Sequence, residues 1–442
     1  MVFKRKLYDR MLAWKRERKG TSALLIKGAR RVGKSTLVEE FAKREYKSYI
    51  LIDFAQTSRE IDELFDNMRD LNYFFFRLQN IFHTTLHERK SAIIFDEVQL
   101  NPKARQSIKF LVKDGRYDYI ETGSLLSIKK NVQNILIPSE ETRITLHPMD
   151  FDEFLWAIGD YSGPDLLHQA FLLHRPMGQA AHREWMRNLR KYMVVGGMPQ
   201  AVDTYIQTNN LQMVDEKKRE ILMLYDDDFR KIDDSGNISK LLMDIPAQLS
   251  GNANRYIASS ATQSSLREKE STFIADITDS QVVTIAHHAN DPNVGMGLTK
   301  DQSRYKLFLA DTGLFITLAF WDKDYTENTI YSKLLSDKLS ANLGYVYENL
   351  VAQMLTSAGH KLYYYTFPDG NKHNYEIDFL LTKKDKIIPL EIKSSGYNTH
   401  KSLDLFCQKF SSRIGQRYLI YPKDLQQDGQ TICFPIYYTD KL

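Results

Sequence analysis

The nine residues Gly28-Ala29-Arg30-Arg31-Val32-Gly33-Lys34-Ser35-Thr36 constrain the fold more than any other stretch, because they fit the pattern G-x-x-x-x-G-K-[ST] without a mismatch. Their flanks decide what the pattern means. Residues 22–26 form a short apolar run that reads as a buried strand, and Leu37, Val38, Phe41 and Ala42 recur downstream at helical spacing. Strand, glycine-containing loop and helix together let backbone N–H groups curl around phosphates. In that setting Lys34 neutralises the β- and γ-phosphates and Ser35 offers its hydroxyl to Mg²⁺, while the helix turns its positive end to the anion. The expected nucleotide contacts are therefore Gly28, Arg30, Arg31, Val32, Gly33, Lys34, Ser35 and Thr36. ATP and Mg²⁺ are the expected ligands, and a parallel α/β sheet is the expected fold.

A second signature completes the first. Ser91-Ala92-Ile93-Ile94-Phe95-Asp96-Glu97 is an apolar strand ending in two carboxylates. In that arrangement Asp96 holds Mg²⁺ and Glu97 orients the attacking water. A kinase acting on a small molecule needs no water-activating acid there, so Glu97 points to hydrolysis. Residues 117–121 read as a further strand, and they deliver Thr122-Gly123-Ser124 to its carboxyl end, where ligands collect in parallel sheets. Ser124 or Thr122 is expected to sense the γ-phosphate; the competing reading is a capped strand-to-helix turn. Arg143 precedes the fifth expected strand at 144–146, where a cation could reach a neighbouring subunit's nucleotide in a homo-oligomer or simply form a surface or interdomain ion pair.

The chain has 442 residues, 43% of them apolar, which is enough for two to four domains with ordinary cores. Its formal charge of +4 is too small to demand or exclude nucleic acid. The first twenty residues are basic, yet Leu7, Tyr8, Met11, Leu12 and Trp14 give them an apolar helical stripe, so a docked helix with a solvated face is expected. Cys407 and Cys433 are the whole cysteine complement, and no metal-type spacing occurs. Neither a spanning apolar run nor a signal-peptide core is present, and the expectation is a cytoplasmic protein with no membrane partner.

Past residue 150 the pattern changes. Residues 151–235 read as a helical lid or connector, with a break at 159–164 and a chain-redirecting turn at 193–199. Residues 236–315 read as helices at 241–249 and 261–269 followed by strands at 282–287 and 305–309, the order of a winged-helix module. Its recognition region, 264–271, sets Arg267 and Lys269 against Glu268 and Glu270, which weakens a DNA-reading role. Residues 316–442 carry an acid on one strand, Asp378, and Glu391-x-Lys393 on the next. That is the spacing of the PD-(D/E)xK nuclease core. There Asp378 and Glu391 would hold Mg²⁺ and Lys393 would position or deprotonate water, with Glu348 as a helix-borne acid. Glu391 and Lys393 lie two apart and share a strand face; a surface ion pair is the alternative.

The segments GARRVGKSTLVEEFAK, AIIFDEVQ, YIETGSLL, ITLHPMDFDEFL and VVGGMPQAV carry a resemblance over nearly the whole chain. The sequence resembles the bacterial and archaeal AAA family ATPases that end in domain of unknown function 4143. The family's double Arg stands as Arg30-Arg31. Two positions depart from its pattern: Asp150 replaces a small hydroxyl residue, and Ile377 replaces the nuclease motif's proline. The resemblance implies an AAA-type P-loop domain over 1–150, a helical and winged-helix middle, and a restriction-endonuclease-like α/β domain over 316–442. The expected function is ATP hydrolysis coupled to a C-terminal domain that handles DNA, RNA or a protein partner. The alternatives are an ATP-gated, Mg²⁺-dependent nuclease and a slow nucleotide switch.

Overall fold

The computed structural model describes residues 1–66, 68–123, 139–251, 253–262, 269–323, 329–336, 344–368, 374–397 and 399–442. Ser124, Arg267 and Glu268 lie outside the described residues. The chain divides into two compact units, one of residues 1–147 with 279–281, the other of residues 148–278 and 282–442.

In the first unit five parallel strands form one sheet: β1 (Ala23–Lys27), β2 (Ser48–Asp53), β3 (Ser91–Asp96), β4 (Asp118–Gly123) and β5 (Glu141–Thr145), in the order β2-β3-β4-β1-β5. Parallel strands need crossover connections, and helices such as Lys34–Glu45 and Pro102–Asp114 supply them. Strands covered on both faces read as continuous apolar runs, as Ala92-Ile93-Ile94-Phe95 does in the fully buried β3. Phe54, Phe65, Phe74, Phe75, Phe95, Tyr117 and Tyr119 fill one side of the sheet. Their rings mostly meet edge to face, as Phe65 and Phe74 do with centroids 5.5 Å apart. The N-terminal helix Leu7–Arg18 buries Leu7, Met11 and Trp14, and its solvated face is the basic one.

The strand order places the functional ends. Because β4 lies between β1 and β3, Ile26 stands opposite Thr122 and Phe95 opposite Glu121. The carboxyl ends of all three strands therefore converge on one edge.

The second unit begins with helices. Phe151–Ala157 is capped by Asp150, whose side chain accepts from the Glu153 N–H at 2.9 Å while Glu153 returns a bond to the Asp150 N–H. Aspartate caps as well as serine or threonine does, so the departure from the family pattern at 150 preserves the motif's physics. The Gly196-Gly197 turn then seats the chain against its neighbours. Gly197 N–H donates to Asp311 at 2.5 Å, Met149 N–H donates to the Gly197 carbonyl at 2.7 Å, and a Cβ on Gly197 would stand 2.1 Å from the Met149 carbonyl oxygen. Gly197→Ala is expected to lower unfolding stability by about 1–3 kcal/mol, the usual cost of overpacking; chemical denaturation measures it.

Eight strands form the second sheet: β6 (Val283–Ala289), β7 (Lys300–Leu309), β8 (Leu362–Pro368), β9 (Asn374–Lys383), β10 (Lys386–Ile392), β11 (Arg417–Tyr421), β12 (Gln426–Asp428) and β13 (Thr431–Pro435), in the order β12-β13-β11-β10-β9-β8-β6-β7. The hairpin β6–β7, expected as the ribbon of a winged helix, is not free-standing. β6 pairs in parallel with β8 and so joins the strands of the last hundred residues in one sheet. Sheet closure through non-local pairing wins over the local hairpin pattern. Helix Gly344–Ser357 precedes β8, and helix Lys401–Lys409 makes the crossover between the parallel strands β10 and β11.

Candidate functional site

The loop between β1 and helix Lys34–Glu45 is held from several sides. A Cβ at Gly28 would lie 2.4 Å from the Leu146 carbonyl oxygen, so glycine alone permits this approach to the end of β5. Arg5, nearly buried, donates to the Val32 carbonyl at 3.0 Å and to the His147 carbonyl at 2.6 Å. Lys34 folds into the loop and donates to the carbonyls of Gly28 at 3.0 Å and Ala29 at 2.9 Å. Burial lowers the Lys34 ammonium pKa, against the opposing pull of Glu97 and Asp96. Arg30, Arg31 and Thr36 are exposed along the loop, Val32 is buried, and Gly33 opens the helix in the left-handed region.

At the ends of the central strands, Ser35 Oγ donates to Asp96 Oδ1 at 2.9 Å, and the buried Thr122 hydroxyl donates to the same oxygen. Thr122 Oγ1 in turn accepts the Glu97 N–H at 3.2 Å. Glu97 stands at φ +53°, a left-handed conformation that costs a side-chain-bearing residue free energy and that recurs at functional sites. Its carboxylate accepts a hydrogen bond from the Gln99 side chain. Ser35, Asp96 and Thr122 thus present oxygens to one point, a donor set that suits a hard divalent ion. Glu97 lies at the next residue. The site is the loop that follows β1, with two carboxylates at the end of β3, one strand removed across β4.

Arg143 pairs with Glu141 at 2.6 Å and is about half exposed. Behind it the buried Arg105 guanidinium lies against both Glu121, at 2.5 Å, and Glu141. Glu121 is pushed up to about 8, chiefly by burial, with Glu141 adding to the shift and Arg105 and Arg143 opposing it. The folded chain therefore holds a proton that the unfolded chain releases near the usual carboxylate value. Stability from this group is present at low pH and falls as pH rises from about 4.5 to about 8. In Glu121→Gln the melting temperature should fall less across that window than in the parent chain; an unchanged pH slope would refute the assignment.

The second unit holds a separate set of ionisable groups. Glu348 on helix Gly344–Ser357 and Glu376 and Asp378 on β9 bring one carboxylate oxygen each within 4.8 Å of one another. Glu376 and Asp378 are two apart and so share a strand face. Burial and the neighbouring acids push both carboxyls upward, while Asp378 Oδ2 accepts the Ile392 N–H at 2.6 Å. A cleft of about 660 Å³ opens here, lined by Lys306, Glu348, Glu376, Asp378 and Lys393 among others. Glu391 on β10 is 4% exposed; its Oε1 lies 2.7 Å from Lys393 Nζ, and its buried Oε2 has no hydrogen-bond partner among the described residues.

Of the residues expected from sequence, Lys34, Ser35, Asp96 and Glu97 come together in the first unit, and Glu348, Asp378 and Lys393 line one cleft in the second. Sequence reasoning missed Arg5, Gln99, Glu376 and Lys306. Only Glu376 left a visible signal, as the first acid of Glu376-Ile377-Asp378.

Residues 20–155 match the family model of an AAA domain, residues 186–325 that of domain of unknown function 8612, and residues 343–439 that of domain of unknown function 4143. No curated protein matches the chain. Among solved structures, a Walker-type ATPase of Pyrococcus abyssi is 16% identical, with a TM-score of 0.43, over 72% of this chain and 96% of its own. A signal transduction ATPase with numerous domains and a tetratricopeptide repeat sensor, from Pyrococcus horikoshii, is 10% identical with a TM-score of 0.29, over 80% of this chain. This chain spans about half of that protein, 48%. Cdc6p of Pyrobaculum aerophilum is 10% identical with a TM-score of 0.23, over 76% of this chain and 93% of its own. The AAA match and the parallel sheet support an AAA-type P-loop domain that binds and hydrolyses ATP. Among the described residues no helix is long and apolar enough to cross a membrane.

Proposed function

We propose that the chain hydrolyses ATP to ADP and phosphate, and that the nucleotide state governs what its C-terminal domain holds. The observation that carries this is the convergence of the Ser35 and Thr122 hydroxyls on one oxygen of Asp96, with Glu97 at the adjoining residue. Asp96 and Ser35 would hold Mg²⁺, which supplies charge neutralisation between the β- and γ-phosphates when bound. Lys34 exchanges its bonds to the Gly28 and Ala29 carbonyls for phosphate oxygens, and Arg30 and Arg31 face the anion from the loop. Thr122 fixes the Asp96 carboxylate and the Glu97 backbone, so Glu97 can accept the proton of an in-line water.

The C-terminal part is read as nuclease-like. Its support is the order helix, three antiparallel strands, crossover helix and parallel strand, with Glu348, Asp378 and Lys393 facing one cleft. On this reading residues 151–235 are a connector, 236–315 supply helices and the β6–β7 hairpin that extends the second sheet, and 316–442 carry the rest of that sheet and bind the phosphate backbone of DNA or RNA. A slow nucleotide switch is the second reading, favoured by the Gln99 bond to Glu97, which occupies one of the two carboxylate oxygens.

Salt-titrated binding of single- and double-stranded nucleic acid, in ATP and in ADP, tests the proposal. Affinity should fall as salt rises, because phosphate contacts release counterions, and it should differ between the two nucleotides. Absence of nucleic-acid binding in both states, together with retained ADP, would select the switch.

A further inference from the structure

The acidic cluster of the C-terminal domain contains a cation of its own. Lys306, on β7, reaches Glu348 Oε1 at 3.0 Å and Glu376 Oε1 at 2.6 Å, and its side chain is only 7% exposed. These are two of the three acids whose oxygens cluster within 4.8 Å. In a metal-dependent nuclease the charge between such acids is balanced by a divalent ion, which also prepares the attacking water. Such an ion needs carboxylate oxygens at about 2.0–2.6 Å. Here the Lys306 ammonium takes one oxygen each of Glu348 and Glu376, and a divalent ion beside it would face a like charge in a confined site. Glu391, the other acid of the expected pair, meets Lys393 through Oε1 and keeps a buried Oε2 without a hydrogen-bond partner among the described residues. With Lys306 held between Glu348 and Glu376, the cluster of Glu348, Glu376 and Asp378 does not fit a divalent ion.

We propose that Lys306 is the resident cation of this cleft, so that the domain keeps the outline of a metal nuclease but works as a metal-independent binding module that does not cleave. The proposal rests on the nuclease-like reading above. On it, Lys306 fixes Glu348 and Glu376 as acceptors, while Lys393 remains at the cleft wall to meet an anionic backbone.

The test is Mn²⁺ titration of the full chain without nucleotide, followed by electron paramagnetic resonance. It uses an Asp96→Asn background so that the nucleotide site contributes no acid ligand. The expected result is that no Mn²⁺ binding depends on Asp378 while Lys306 is present. Lys306→Met should then create a site about tenfold or more tighter, lost again on adding Asp378→Asn. Mn²⁺ binding with Lys306 present that Asp378→Asn abolishes overturns the proposal, as does a folded Lys306→Met that gains no site. Should Lys306→Met fail to fold, the Lys306-containing chain still decides through its Asp378-dependence. Nucleic-acid binding in chelator, measured alongside, reports on the nuclease-like reading by itself. Its loss with no Mn²⁺ site would defeat that reading and leave Lys306 as the resident cation.

Discussion

Glu97→Gln is expected to bind ATP as tightly as the parent chain and to release phosphate about a hundredfold to a thousandfold more slowly. The amide keeps the size of the carboxylate and can still meet the Gln99 side chain, so the strained backbone at φ +53° and the Thr122 contact should persist. What it loses is basicity. General-base assistance is worth about 10²–10⁴-fold, and removing it leaves positioning and charge neutralisation by Lys34 and Mg²⁺ intact. Equilibrium binding of a fluorescent ATP analogue and steady-state phosphate release separate the two effects. Weakened binding with normal turnover would instead mean that Glu97 touches nucleotide or metal and that another group prepares the water.

Lys34→Ala is expected to do the opposite, lowering ATP affinity first. Truncating one member of a buried charge pair costs about 2–5 kcal/mol, roughly a thirtyfold to several-thousandfold loss. A second effect accompanies it. Lys34 also ties the Gly28 and Ala29 carbonyls together, so its loss loosens the loop even before nucleotide arrives. Lys34→Arg keeps the charge but requires room for a planar group in a buried position, so it should restore little. Isothermal titration with ATP and a thermal melt of each variant resolve lost contact from lost structure. An Ala variant with unchanged ATP affinity would contradict the placement of Lys34 on phosphate.

The first unit was readable in sequence because its signals are local. Apolar runs marked the strands, and the loop pattern with its flanks marked the strand-loop-helix turn. Asp96 and Glu97 were visible because they end such a run. Thr122 could be named only as one of two candidates, since its role depends on β4 lying between β1 and β3, and strand order is a property of the whole sheet. Arg5 was hidden for a related reason: in a basic run nothing distinguishes the one arginine that turns inward to Val32 from those that stay in water.

The second unit was harder to read. The β6–β7 pair looked like an independent wing, because the parallel partner that absorbs it, β8, comes more than fifty residues after β7. Lys306 gave no hint that it reaches Glu348 and Glu376, forty-two and seventy residues on. Alternation on β9 did place Glu376 with Asp378, but only the fold shows that both join Glu348.

The most direct test of ATP hydrolysis at this site is the identity of the nucleotide after a single turnover. The parent chain and Glu97→Gln are each mixed in excess over radiolabelled ATP with Mg²⁺, quenched at intervals, and the nucleotides separated. The predicted result is ADP accumulating on the parent chain while the variant still carries ATP over the same interval. Equal conversion by both, or intact ATP on both, would contradict the account.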